Sequence, residues 1–264
     1  MMKDPNARIV GTERWDDYRL FRIEAPAIAA EANPGRFLMI KVSDGTSPLL
    51  RRPICVHARE ESRVEIFFQV AGRGTDLLSR KREGQTLDII GPLGKGFTLD
   101  GRMKGKSALC IGGGRGIAPL YFLAVELLRL GARPLVLYGG KSARDLPLKG
   151  KFERAGIPTR CSTDDGSTGY AGFVTKLAAE VIAAGRPDHI FACGPDAMMK
   201  AAALVALEYD VPAEFSLEAL MGCGIGACWG CVKRIRGEGG EGWVKICEEG
   251  PVFPLEKIVW TEES

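Results

Sequence analysis

The sequence predicts a multidomain α+β protein: an antiparallel β-barrel, an α/β domain on a parallel sheet, and a small C-terminal domain built around cysteines. Three observations carry that expectation. Up to about residue 100, short β-like runs are punctuated by Gly and Pro. From about 105 to 212, strand-like and helix-like segments alternate. Beyond 213 the chain is loop-rich and holds Cys223, Cys228, Cys231 and Cys247. The expected domains are 1–102, 103–212 and 213–264.

The first zone contains "RFLMIKV", "RRPICVH", "RVEIFFQV" and "QTLDIIG". Each is short, apolar and bounded by turn residues, as in an antiparallel sheet or barrel. One helical turn is expected at "GTDLLSRKR". The stretch "LLRRPICV" is unusual, because Arg51 and Arg52 adjoin Pro53 in an apolar strand. Burying a guanidinium requires an anionic partner, and the planar fork of Arg suits phosphate. "AGRGTDLL" adds Gly74 and Thr75, a backbone amide and a hydroxyl fit for the same ligand. "GPLGKGF" is a glycine-rich loop of similar type. Hairpin turns with exposed arginines would produce the same pattern.

In the second zone the strand "SALCI" meets "GGGRG" and a helix, "IAPLYFLAVELLRLGA". The strand "RPLVLYGG", a helix at "LKGKFERAG", the strand "PTRCSTD" and the helix "GFVTKLAAEVIAAG" follow. The strand "HIFACG" and the helix "PDAMMKAAALVALEYD" complete the alternation, which means βαβ units and a parallel sheet. At "IGGGRGIAP", Gly112, Gly113, Gly114 and Gly116 would let the backbone approach a pyrophosphate at a helix N-terminus. The spacing departs from the dinucleotide fingerprint, since Ile117 stands where a third Gly or Ala belongs. A tight strand–helix turn would explain the glycines equally. "FACGPDAMM" places Cys193, Gly194 and Pro195 at the end of a second strand, where a nicotinamide would sit with Gly194 leaving room.

In the third zone the spacing is C-x4-C-x2-C-x15-C. Its first three members match the plant-type [2Fe–2S] pattern. Gly222, Gly224, Gly226 and Gly230 allow the loop to wrap a cluster. Structural zinc is the competing reading, although zinc usually takes two C-x2-C-like pairs and only Cys228 and Cys231 form one. "RGEGGEGWVKIC" reads as a glycine-tipped hairpin returning Cys247 to the others. So small a zone cannot build much core, and a metal centre would compensate. The scattered Cys55, Cys110, Cys161 and Cys193 are expected as small buried hydrophobes.

A net charge of +3 over 264 residues is too mild to argue for nucleic acid, and no basic run interleaved with aromatics suggests it. The apolar stretches are too short to span a bilayer, and "MMKDPNARIV" lacks the apolar core of a signal peptide. No membrane association and a cytoplasmic location are expected.

Taken in order, these stretches resemble one family: the electron-transfer subunits of NAD-dependent dihydroorotate dehydrogenase, within the ferredoxin-reductase superfamily. The likeness covers almost the whole chain. It is carried by "PGRFLMIKV", "LLRRPICV", "GRGTDLL", "GPLGKGF", "GGGRGIAPL", "STDDGSTGYAG", "CGPDAMMKA", "SLEALMGCGIGACWGC" and "KICEEGPVF", the last two being the most specific. The resemblance implies an FAD-binding barrel, a NAD-binding α/β domain and a [2Fe–2S] domain. It implies that Arg52, Pro53, Ile54 and Cys55 touch the flavin, and that Phe67, Phe68, Gln69, Gly74 and Thr75 line the FAD site. Cys223, Cys228, Cys231 and Cys247 become the cluster ligands. Two residues depart from the family pattern: Cys55 stands where Ser or Thr is usual, and Arg115 where an apolar residue is common.

The implied activity is electron transfer in pyrimidine biosynthesis, between an FMN-containing catalytic partner that oxidises dihydroorotate and NAD+, in a heterotetramer. Three modules use up the chain, so a TIM barrel of about 250 residues must lie on another polypeptide. Trp229 and Phe253 are candidates for the docking surface, with local core packing as the alternative. Two rival readings remain. One is a subunit of another NAD(P)H-dependent complex: a ferredoxin transhydrogenase, a sulfide-type reductase or a hydrogenase. The other is a zinc-stabilised binding module without redox chemistry.

Overall fold

In a computed structural model describing residues 2–237 and 239–260, six strands close into an antiparallel barrel. They are β1 (Met2–Trp15), β2 (Tyr18–Glu24), β3 (Phe37–Lys41), β4 (Arg52–Glu60), β5 (Arg63–Gln69) and β6 (Thr86–Leu93), in the order β1-β2-β5-β4-β3-β6. Closure leaves no unpaired strand edge. Leu20, Ile23, Leu38, Ile40, Val64, Ile66 and Ile89 are buried in it. Two short helices, α1 (Pro26–Glu31) and α2 (Arg73–Ser79), connect its strands, the second at the expected "GTDLLSRKR". Sequence reading did not find β1 or β2. β1 is rich in charge, yet Ala7, Ile9 and Gly11 alternate inward and its register shifts beside Pro5 and at Gly11.

The α/β region contains β7 (Ser107–Gly113), α3 (Ile117–Arg129), β8 (Arg133–Gly140), α4 (Lys149–Arg154), β9 (Thr159–Thr163) and β10 (Tyr170–Ala171). It continues through α5 (Val174–Ala184), β11 (His189–Cys193), α6 (Asp196–Glu208) and β12 (Ala213–Ser216). The remaining elements are β13 (Val232–Gly237), β14 (Gly240–Lys245), α7 (Ile246–Glu249) and β15 (Val252–Pro254). One sheet runs β10-β9-β8-β7-β11-β12-β15. All its pairings are parallel except that of β15, which lies antiparallel to β12 with Ser216 opposite Val252. Burial on both faces explains the continuous apolar runs Ala108–Ile111 and Ile190–Ala192. The helices present apolar stripes at helical spacing, such as Val174, Leu177, Ala178 and Ile182 on α5, and Met199, Ala202, Ala203 and Ala206 on α6.

The chain forms two compact units. The barrel unit runs to residue 96 and includes 218–233 and 243–251. The sheet unit contains 97–217, 234–242 and the residues from 252 onward. The expected third zone is therefore shared out: its cysteine stretches belong with the barrel, and its last strand with the sheet. β13 and β14 form the expected hairpin. No helix among the described residues is long and apolar enough to cross a membrane. Cys110, Cys161 and Cys193 are buried, and Cys55 is half-buried. Burial pushes the Cys110 thiol up to about 12.

Candidate cofactor sites

The four clustered cysteines meet in the barrel unit as two pairs. The Cys223 and Cys228 thiols interact through a hydrogen bond, and so do those of Cys231 and Cys247. The Cys247 N–H also donates to Cys231 Sγ at 3.4 Å. Among the described residues no three His, Cys, Asp or Glu groups form a single ready-made ion site. Two pairs suit two irons, each held by two thiolates.

Backbone donors surround these sulfurs. Ile225 N–H donates to Cys223 Sγ at 3.4 Å, and Gly226 N–H to Cys247 Sγ at 3.2 Å. Desolvation pushes the Cys223 thiol up, but the N–H groups of Ile225, Cys228 and Ala227 and the Cys228 side chain outweigh it, bringing Cys223 down to about 7. Burial, together with the Cys231 contact, pushes Cys247 up to about 12. The pairs also differ in access: Cys228 is exposed, whereas Cys231 and Cys247 are buried.

The cysteine loop is fastened to the barrel. Gly224 has φ +72°, and a β-carbon there would lie 2.5 Å from Met39 Cγ and 2.7 Å from Met39 Sδ. Lys95 N–H donates to the Gly250 carbonyl at 2.5 Å, and Lys95 bridges Pro251. Lys245 donates to the Gly226 carbonyl at 3.1 Å, pairs with Glu248, and lies 5.1 Å from the Trp229 ring centre. Met39 and Lys245 escaped sequence reading. A Met amid aliphatics looks like ordinary core; a cation two residues from Cys247 was the available signal for Lys245.

On the barrel, the "RPIC" residues lie on β4 opposite β3, with Ile40 facing Arg52, Met39 facing Pro53, Leu38 facing Ile54 and Phe37 facing Cys55. The two arginines have separate fates. Arg51 is engaged by Asp88, through its carbonyl at 2.7 Å and its carboxylate at 2.8 Å. Arg52 bonds the Leu50 carbonyl at 2.7 Å, and its guanidinium lies over Gly74, where any β-carbon would overlap it. Two motifs far apart in sequence thus converge on one basic, glycine-floored spot. The Thr75 hydroxyl differs from expectation: it donates to the Gly72 carbonyl and accepts from Ala71 N–H, so it closes its own turn. Phe67 and Phe68 are buried, Phe67 stacking on Tyr18 at 5.4 Å and Phe68 meeting Phe21 edge-on. Gln69 is half-buried at the strand end.

In the sheet unit, chain order reverses direction between β7 and β11, which makes their carboxyl ends a topological switch point. Gly112 is paired with Cys193 across it. The two glycine turns touch there: a β-carbon on Gly116 would lie 2.5 Å from the Cys193 carbonyl carbon and 2.6 Å from Gly194 Cα. A β-carbon on Gly194 would lie 3.1 Å from Gly113 N. α3 opens directly after this turn with no side-chain cap, its first N–H, that of Ile117, closing the turn onto the Gly114 and Arg115 carbonyls. Pro195 lies just before the first residue of α6. The turn holding Gly112, Gly113, Gly114 and Gly116 is thus in contact with the one holding Cys193, Gly194 and Pro195.

Comparison with known proteins agrees with this geometry. Residues 218–259 match the iron–sulfur cluster binding domain of dihydroorotate dehydrogenase B, and 110–203 the oxidoreductase NAD-binding domain. The dihydroorotate dehydrogenase B (NAD(+)) electron transfer subunit of Desulforamulus reducens is 38% identical over 239 residues, covering 90% of each chain. That of Caldanaerobacter subterraneus subsp. tengcongensis is 40% identical over 228 residues, covering 86% of this chain and 87% of its own. Among solved structures, the NADH-dependent reduced ferredoxin–NADP oxidoreductase studied for flavin-based electron bifurcation superposes with a TM-score of 0.83. It shares 29% identity and covers 98% of this chain and 92% of the other. The ferredoxin reductase of carbazole 1,9a-dioxygenase, at 22% identity and a TM-score of 0.67, shares the fold over 81% of this chain and 68% of its own. With a barrel, a nucleotide-type switch point and a paired-cysteine loop in one chain, and with these relatives, the protein belongs to the family of dihydroorotate dehydrogenase B electron transfer subunits.

Proposed function

We propose that this chain carries electrons between an FMN-containing, dihydroorotate-oxidising partner and NAD+, through a [2Fe–2S] cluster and FAD, in pyrimidine biosynthesis. The observation that carries the reading is the pairing of Cys223 with Cys228 and of Cys231 with Cys247, ringed by backbone N–H donors, on the same unit as Arg52 and Gly74. Bound FAD supplies the conversion between hydride and single electrons that nicotinamide and a cluster cannot perform directly.

The residues divide the work. Cys223 and Cys228 hold one iron; Cys231 and Cys247 hold the other. The amides of Ile225 and Gly226 donate to the sulfurs and tune the centre's potential. Arg52 offers its fork to FAD phosphate above the open floor at Gly74, with Arg51 held by Asp88. Pro53, Ile54 and Cys55 border the flavin, and Phe67, Phe68, Gln69 and Thr75 shape the wall and turn beside it. The glycine turn before α3 receives the NAD pyrophosphate, and Gly194, between Cys193 and Pro195, leaves space for the nicotinamide. By function the chain divides at 1–102, 103–212 and 213–264, one stretch per cofactor.

Exposed apolar side chains around the cysteines support a partner. Leu220 is 90% exposed, Trp229 59%, Trp243 61% and Ile225 45%, all close to the cysteines in sequence. Phe253 is buried and serves the core. We assign this apolar rim to docking of the catalytic subunit, in a cytoplasmic heterotetramer.

Purification tests the reading. A yellow-brown protein with FAD, iron and acid-labile sulfide, reduced by NADH, is expected. Colourless protein with stoichiometric zinc would overturn it. Intact cofactors with co-purification of a hydrogenase or transhydrogenase subunit would overturn the choice of partner.

A further inference from the structure

Met39 occupies an unusual position in the barrel unit. Its side chain is fully buried, yet one side of it is covered by the cysteine loop at Gly224, the residue after Cys223. Its neighbour on β4 is Pro53, within the "RPIC" segment. Directly opposed residues of antiparallel strands project to the same face of the sheet. The Met39 and Pro53 side chains therefore lie side by side, one under the cysteine loop and the other in the segment assigned to flavin. The approach depends on Gly224 twice over. Its φ of +72° disfavours other residues, and any β-carbon would collide with the thioether. Lys95 N–H also bonds the Gly250 carbonyl, so the chain just beyond Cys247 is fastened beside the end of β6.

We propose that Met39 is the positioning residue that couples cluster to flavin: its thioether fills the space between the cysteine loop and β4, and Gly224 sets the contact. A polarizable, flexible side chain suits that space. The proposal rests on the cofactor reading above. In the assay direction NADH would give up a hydride, two electrons and a proton; reduced flavin would pass the electrons one at a time to the chain's single cluster, which hands the first to the partner's FMN before taking the second, and the proton would leave to solvent.

The test uses the assembled holoenzyme and its Gly224→Ala, Met39→Ala and Met39→Leu variants. Stopped-flow absorbance separates flavin reduction by NADH from cluster reduction by flavin. Iron, acid-labile sulfide, FAD content and the cluster's visible circular dichroism are read on the same samples. Gly224→Ala and Met39→Ala should slow cluster reduction by about tenfold or more, as misplacement by roughly an ångström does at reacting centres. Flavin reduction should stay within about twofold, as it should for both phases in Met39→Leu, which conserves volume. Gly224→Ala should also shift the dichroism bands. Should Gly224→Ala lose its cluster, Met39→Ala decides, since it leaves the loop sequence intact. Full cofactor content with unchanged cluster reduction in Met39→Ala overturns the proposal. Wild-type protein without flavin or cluster overturns the cofactor reading instead.

Discussion

Replacing Gly116 by Ala tests the meeting of the two glycine turns at the switch point. The added methyl would sit 2.5 Å from the Cys193 carbonyl carbon and 2.6 Å from Gly194 Cα. Carbon atoms in contact prefer about 3.5–4.0 Å, so the turns must part by roughly 1 Å. Neither neighbour is a side chain that can swing aside; both belong to the main chain leaving β11. Overpacking of this kind costs about 1–3 kcal/mol. At about 2 kcal/mol, and with 2–4 °C per kcal/mol for a chain of this size, Tm should fall by roughly 4–8 °C. The parted turns should also weaken NAD+ binding by about tenfold, which corresponds to about 1.4 kcal/mol. Thermal unfolding and isothermal titration with NAD+ measure the two effects. Gly105→Ala is the control: φ there is +74°, with no atom within 4 Å of the added carbon. It should lower Tm through backbone strain of about 1–2 kcal/mol and leave NAD+ affinity unchanged. A Gly116→Ala protein with wild-type Tm and wild-type affinity would refute both the close approach and the site built on it.

Cys228→Ser should bleach the cluster and stop transfer to the partner while largely sparing NADH reduction of a two-electron dye; retained cluster absorbance would contradict the ligand assignment. Arg52→Ala should shed FAD on gel filtration with little change in folding. Arg51→Ala should instead lower stability by about 1–3 kcal/mol in urea unfolding, because the Asp88 carboxylate, only 22% exposed, loses its partner. The Ser107 amide, the Lys106 ammonium and the Ser107 hydroxyl hold the Asp188 carboxyl below its ordinary range. A depressed carboxyl stabilises the fold above the unfolded value near 4 and loses that contribution as pH falls through the folded one. Asp188→Asn should therefore flatten the acid limb of a Tm-against-pH curve, and an unaltered limb would count against the contact.

Much of the fold was legible where local pattern and tertiary role agree. The strands β7, β8, β9 and β11 and the helices after them were readable because buried parallel strands are uniformly apolar and their helices carry a period. β1 was hidden because its charged side chains face outward and only Ala7, Ile9 and Gly11 mark the inner face. The cysteine spacing pointed to a cluster, but spacing alone could not say which sulfurs pair; that depends on α7 carrying Cys247 back to Cys231. The division of labour between Arg51 and Arg52 was likewise invisible. Arg51 lies just before β4, whose first residue is Arg52, and Asp88, which claims Arg51, lies on β6. Non-local partners of this kind leave no periodic trace.

The antiparallel pairing of β15 with β12 has an evolutionary corollary. Ser216 and Val252 are direct neighbours, so residues 217–251 depart from the sheet and rejoin it at adjacent points. Opposed residues of such strands have Cα atoms only about 5 Å apart. A short turn could join them without reordering any strand of the barrel or of the seven-stranded sheet. The cysteine excursion is thus a cassette in a complete chassis. An insertion or deletion at that junction leaves every strand of the barrel and of the seven-stranded sheet in its place.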